Sequence, residues 1–116
     1  MFNQTTMIGR LTRDAQMGTC GSDHARATRV CFTLAVDRDY DLDGETPTDF
    51  WPCEIAGLDA PRLLPYLVKG RLVLVTGQAH LDERRTEAGV YQVLPCIRVR
   101  QVRFLDRRPP QPAGDA

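Results

Sequence analysis

The chain has 116 residues, 42% of them hydrophobic, and fifteen basic side chains balance fifteen acidic ones. That length supports one domain with a modest core and is too short for two. No apolar run approaches the ~18 residues of a membrane span, and the opening MFNQTTMIGR lacks the charged-then-apolar order of a secretory signal. A cytoplasmic location is therefore expected.

The zero net charge is a sum of unequal parts. Residues 1–36 carry +2, residues 37–59 set eight carboxylates against Arg38 alone for −7, and residues 60–116 carry +5. Every basic residue except Lys69 is an arginine, whose planar fork of donors suits phosphate.

In chain order, Phe2–Leu11 reads as a first strand, and Gly9 within it marks a bulge or sharp bend. Ala15–Ala25 holds two glycines with Ser22, Asp23 and His24, and reads as a loop. Arg26–Tyr40 is the second strand. Its Phe32, Leu34 and Val36 alternate with Cys31, Thr33 and Ala35, the period of two that buries one face. Asp37–Thr48 is a polar loop. In Asp49–Gly57 the alternation resumes, with Phe50, Pro52, Glu54 and Ala56 on one face and Trp51, Cys53 and Ile55 on the other. Pro52 cannot donate to a ladder, so the strand is bulged or at an edge there.

Asp59–Lys69 has the features of a helix: Asp59 as N-cap, Pro61 in the first turn, Gly70 at the end, and a stripe of Leu63, Leu64, Leu67 and Val68. Pro65 lies past the first turn and should shorten or kink it. Arg71–Arg85 is a long strand, Thr86–Gly89 a turn, and Val90–Leu105 the final strand or pair of strands. Arg107–Ala116 carries three prolines and no apolar anchor, and is expected to be a disordered tail.

Chemistry-bearing motifs are scarce. The cysteines at 20, 31, 53 and 96 form no Cys-x-x-Cys pair, and His24 and His80 do not complete a ligand set, so no metal site is expected. Without a secretion signal all four thiols are expected to be reduced. Asp39–Gly44 begins like a calcium loop, but its twelfth position is Phe50 and its ninth Pro47. Ser22, Asp23 and His24 are consecutive and cannot converge as a triad. No nucleophile elbow or phosphate-cradling glycine loop is present. No enzymatic activity and no cofactor are expected.

Three strands, a helix and two long strands are the order of a five-stranded OB-fold barrel: all-β, with one short helix between its third and fourth strands. The domain is expected to span residues 1–105, with the Pro-rich tail at 106–116. Six pieces then resemble the bacterial-type single-stranded-DNA-binding protein family in that family's order. They are MIGRLTRD at 7–14, FTLAV at 32–36, the strand from Asp49 to Gly57, YLVKG at 66–70, LVLVTGQ at 72–78 and VRFL at 102–105. The resemblance implies sequence-independent binding of single-stranded DNA in replication, recombination or repair. It also implies a homodimer or homotetramer and a nucleoid-associated place in the cytoplasm.

Carried over position by position, the resemblance makes Tyr40 and Phe50 base-stacking residues. Ala56 and Arg84 stand where aromatics are usual, and Arg84 can replace a ring in part by its guanidinium plane. Arg10, Arg13, Arg29, Arg38, Lys69, Arg71 and Arg98 are the candidates for following the phosphates. Trp51 has the wrong parity to share a face with Phe50 and is expected in the core or at a subunit interface. Missing rings and the −7 segment imply weaker binding than a typical member's. The final residues PPQPAGDA lack the acidic tip closed by an aromatic that such proteins use to recruit others, so recruitment of that kind is not expected. The contrasting hypothesis is an OB-fold protein-interaction module, like primosomal accessory proteins, with weak nucleic-acid affinity.

Overall fold

The computed structural model describes residues 1–18, 29–57 and 59–106. Six strands are present: β1 (Thr5–Leu11), the short β2 (Gln16–Met17), β3 (Arg29–Asp37), β4 (Thr48–Ala56), β5 (Leu72–Arg85) and β6 (Tyr91–Phe104). Their order is β1-β5-β6-β4-β3-β2, and a further pairing of β1 with β3 closes the sheet into a barrel. With β2 set aside as an addition to the edge of β3, the barrel has the five strands and the helix position expected of an OB-fold. β4 and β6 run parallel, in register at Cys53–Ile97 and Glu54–Arg98.

The alternation read from the sequence becomes an inside and an outside. Val30, Phe32 and Leu34 of β3, Cys53 and Ile55 of β4, Val73 and Val75 of β5, and Ile97 and Val99 of β6 fill the interior. β4 pairs with β3 along its whole length but meets β6 only at its C-terminal part. Pro52 falls just before that meeting, where a missing N–H breaks no ladder to β6. A bulge between Thr76 and Gly77 shifts the β5–β6 register, so the inward positions change from Ile97 and Val99 to Val102 and Phe104.

Gly9 is the bend that the sequence required. There β1 passes from β5 to β3, pairing Gly9 with Val73 and then Arg10 with Ala35. The strands run so close that a Cβ on Gly9 would lie 2.4 Å from the Ala35 carbonyl oxygen.

The helix is shorter than its stripe suggested. α1 spans Ala60–Leu63 and continues as a single 3-10 turn, Leu64–Tyr66. Pro65 is the cause: it has no N–H to extend the ladder. Asp59 occupies the N-cap position without a side-chain cap bond, and reaches only a distant 3.9 Å pairing with Arg62. Leu67 is nonetheless fully buried and plugs one end of the barrel, where its carbonyl accepts the Ala15 N–H at 2.9 Å.

Asp37–Thr48 is more ordered than a polar loop. Asp43 and Gly44 take φ of 53° and 84°, the signs of a type I′ turn. Leu42 and Glu45 exchange backbone hydrogen bonds of 2.7 and 2.9 Å across them. The segment is therefore the tip of the β3–β4 hairpin, and Asp-Gly is its turn signal. Thr46 and Thr48 donate to Asp41 and Asp37 at 2.6 and 2.7 Å.

One cysteine expectation is overturned. Cys31 is disulfide-bonded and not a free thiol. Cys53 and Cys96 are free and buried. Burial pushes the Cys53 thiol far up and Cys96 up to about 11, with the Glu54 carboxylate adding to the latter. The tail from residue 107 also lies outside the described residues. Asp106, assigned to that tail by the sequence, is tied to the barrel: Arg71 Nε donates to its carboxylate at 2.8 Å and the Leu72 N–H at 3.1 Å.

Two outcomes follow from these contacts. Gly9→Ala places a methyl against backbone, so it should lower stability by about 1–3 kcal/mol in denaturant unfolding; an unchanged midpoint would show that β1 does not cross β3 this closely. At Asp106, desolvation raises the carboxyl pKa, but the Arg71 and Leu72 hydrogen bonds outweigh it and the net shift is downward. A depressed folded-state pKa gives stability that is present above the unfolded value of about 3.9 and lost as pH falls through the folded one. Asp106→Asn should therefore flatten the acid limb of the thermal midpoint below about pH 4, measured against the unsubstituted protein.

Candidate nucleic-acid interface

The outward residues of β3 and β4 are set by register. Ala35 lies beside Phe50, Thr33 beside Pro52, Cys31 beside Glu54 and Arg29 beside Ala56. Small neighbours leave the Phe50 ring 62% exposed. On the far side of Ala35 stands Arg10. Arg10, Ala35 and Phe50 thus form one row across three strands, with Arg10 and Phe50 two strand spacings, roughly 10 Å, apart. An exposed ring beside a cation is the pair of features that gripping an unpaired nucleotide requires.

Further cations border this face. Arg13 is exposed and lines a recess with Gln16, Met17, Cys31, Thr33 and Pro52. Arg10 Nη1 donates to the Gly70 carbonyl at 2.9 Å, and the Lys69 backbone N–H donates to Asp14 at 2.8 Å. Arg10, Arg13 and Lys69 are therefore held near one another where the loop after β1 meets the turn before β5. Arg98 joins the same face from β6, beside Glu54.

Three of the expected phosphate contacts are placed otherwise. Arg29 is 8% exposed, and its Nη1 donates to Glu54 at 2.7 Å. Arg71 is 5% exposed, stacked 4.2 Å from the centre of the Phe104 ring and bonded to Asp106 and the Tyr66 carbonyl. Both are spent inside the protein and do not reach a phosphate from solvent. Arg38 is exposed, but it donates through Nε and Nη2 to the two oxygens of Asp49, each at 2.9 Å. Its Nη1 donates to the Tyr40 hydroxyl at 2.5 Å. The Asp49 hydrogen bond raises the Arg38 pKa further, and the Arg38 hydrogen bond holds Asp49 below the usual carboxylate range. Asp49 thus cancels the charge of Arg38, whose role is to hold the Tyr40 ring.

Tyr40 is half exposed near the base of the hairpin. Phe50, Arg38, Asp49, Trp51 and Pro95 line a shallow recess. Trp51 packs against the core as its parity implied, yet one side of it reaches this recess. Arg84 pairs with Gln92 in the β5–β6 ladder; its side chain lies outside the described residues. The sequence reading overlooked Tyr91, which is 54% exposed on the same hairpin. The register places Tyr91, Val93 and Pro95 on one face of the hairpin, in line with Ile97 and Val99 of the barrel, and Pro95 at its base lines the recess with Trp51 and Phe50. A hydrogen bond with Glu83 raises the Tyr91 pKa. An aromatic two residues after Gly89 was the available signal.

Among the described residues no group of acidic, histidine or cysteine side chains could hold a metal ion. No helix among them is long and apolar enough to cross a membrane.

Comparison with known proteins places this geometry. The model of the single-strand binding protein family matches residues 2–105. A single-stranded DNA-binding protein of Thermotoga maritima is 36% identical over 98% of this chain and 81% of its own length. Single-stranded DNA-binding protein B of Bacillus subtilis is 33% identical over 99% of this chain and all of its own. Among solved structures, a Plasmodium falciparum SSB in complex with ssDNA superposes with a TM-score of 0.75 at 22% identity, covering 91% of this chain and 96% of that one. At that identity the likeness shows the fold, and the sequence matches show the kinship. The chain belongs to the single-strand binding protein family.

Proposed function

We propose that the protein binds single-stranded DNA without regard to sequence, stacking bases on Phe50, Tyr40 and Tyr91 and following phosphates with Arg10, Arg13, Lys69 and Arg98. The observation that carries this is the row formed by Arg10, Ala35 and Phe50: an exposed ring with an exposed cation one strand beyond it. Stacking accepts any base because each has a flat π-face. Relatives named for single-stranded DNA binding, matching nearly the whole chain, support the same reading. The interaction-module hypothesis, which rested on the acidic loop and the missing aromatics, is not favoured, since relatives matching nearly the whole chain are named for single-stranded DNA binding.

The acidic hairpin does not argue against this. Asp49 is paired with Arg38, and Asp37 and Asp41 accept hydrogen bonds from Thr48 and Thr46, which order the hairpin without neutralising it. Its remaining carboxylates confine the strand to the basic side of Phe50. We further propose that the protein works as a homodimer or homotetramer on nucleoid DNA. Ile8 is half exposed on β1 beside Leu74 of β5, an apolar pair that suits a subunit contact. A light-scattering mass checks the assembly, and a monomer would remove that part of the proposal.

Titration of a labelled oligo-dT at several salt concentrations tests the binding. Counterion release predicts a log–log slope near −0.7 for each phosphate neutralised. A salt-insensitive affinity of micromolar or weaker would instead restore the interaction module. Replacing Tyr40 and Phe50 together by Ala should weaken binding at least about tenfold, since each stacked base is worth ~1–3 kcal/mol. Tyr91→Ala should cost about fivefold or more by the same stacking argument; unchanged affinity would take the β5–β6 hairpin out of the interface.

A further inference from the structure

Glu54 is an anomaly on the face just described. It points outward from β4, yet it is only 2% exposed. A carboxylate so placed is costly unless charged partners stay with it. Among the described residues two do: Arg29 Nη1 and Arg98 Nη2 both donate to the same oxygen, Oε2, at 2.7 and 2.8 Å. The two arginines differ in reach. The Arg29 side chain is 9% exposed and lies beneath, whereas that of Arg98 is 40% exposed. The Nε atoms of both are buried with no hydrogen-bond acceptor among the described residues.

Two guanidinium groups on one carboxylate leave one positive charge in excess within the trio. The carboxylate therefore does not cancel Arg98, as Asp49 cancels Arg38; it fixes its direction. A free arginine loses rotamer freedom when it grips a phosphate, and that loss weakens binding. An arginine already held by Glu54 loses little, and Arg29 beneath keeps the local field positive. Register fixes the location: Glu54 stands beside Arg98 on one side and Cys31 on the other, and shares its face of β4 with Phe50.

We propose that Glu54, an acidic residue in the midst of the DNA-binding face, is a positioning residue for nucleic acid: it presents Arg98 to a backbone phosphate of the strand that passes over Phe50. This rests on the single-stranded-DNA reading above.

The sign of one substitution separates this role from simple electrostatics. Glu54→Gln removes a negative charge from the face, and by charge alone it should tighten binding. Positioning predicts the opposite: about three- to tenfold weaker affinity for oligo-dT at moderate salt, because Arg98 is released. Arg98→Gln should weaken binding by a similar factor and lower the salt slope by ~0.7, one phosphate. Arg98→Lys should keep the slope but lose affinity, since an ammonium cannot be held by the same fork. Arg62→Gln, on the exposed helix turn, serves as the control, and thermal unfolding confirms that each variant is folded at the assay temperature.

Tighter or unchanged binding by folded Glu54→Gln overturns the proposal while leaving the wild-type titration, and hence the broader reading, intact. If Glu54→Gln does not fold, the Arg98 variants decide, and Arg98→Lys binding like wild type overturns it. A wild-type protein that fails to bind oligo-dT overturns both.

Discussion

Where β1 crosses β3, Gly9 lies so near the Ala35 carbonyl that a methyl group would sit 2.4 Å from its oxygen. This close crossing closes the barrel: β1 leaves β5, meets β3, and turns a six-stranded sheet into a ring around Val30, Phe32, Leu34, Val73, Val75 and Ile97. The same crossing builds the proposed binding face. Arg10 follows Gly9 and pairs with Ala35, whose other neighbour is Phe50. Side chains from residues 10, 35 and 50 become neighbours because two backbones approach without a side chain between them. Core and site therefore share one constraint.

Electrostatics on this face is decided by geometry more than by count. The chain is neutral overall, but among the described residues the arginines discussed above fall into three physical states. Arg71 is sealed between Phe104 and Asp106, where it ties the end of β6 to the start of β5. Arg38 is exposed but matched oxygen for nitrogen by Asp49, so its field is short-ranged and its effect is to hold Tyr40. Arg10 and Arg13 are exposed, and Arg98 half exposed, around Phe50 and Glu54. Only charges in this last state act on a polyanion at a distance, because screening and local pairing remove the rest. The acidic hairpin is the complement of this pattern, with Asp39, Asp41, Asp43 and Glu45 exposed on it.

The sequence by itself determined the strand order, the inward and outward faces of β3 and β4, and the shortening of the helix at Pro65. These are local properties: a period of two, a missing N–H, a glycine where a strand must bend. Phe50 and Tyr40 were singled out by the family resemblance, since both stand where that family carries stacking aromatics. The Asp43-Gly44 turn was equally local: an acidic hairpin tip was the alternative to a calcium loop at 39–44, and the positive φ of both residues bears the hairpin out.

What only the tertiary structure decided was the fate of each cation and the value of Tyr91. Arg29, Arg38, Arg71 and Arg98 are indistinguishable by residue type. Their partners Glu54, Asp49 and Asp106 lie 11 to 44 positions away, brought close by sheet register and not by spacing along the chain. Tyr91 is exposed only because β5 and β6 continue past the barrel as a hairpin, where residues in line with Ile97 and Val99 no longer have a core to enter. Periodicity tells which way a side chain faces; which group it faces depends on how separate strands are laid against one another, and that is fixed by closure of the barrel.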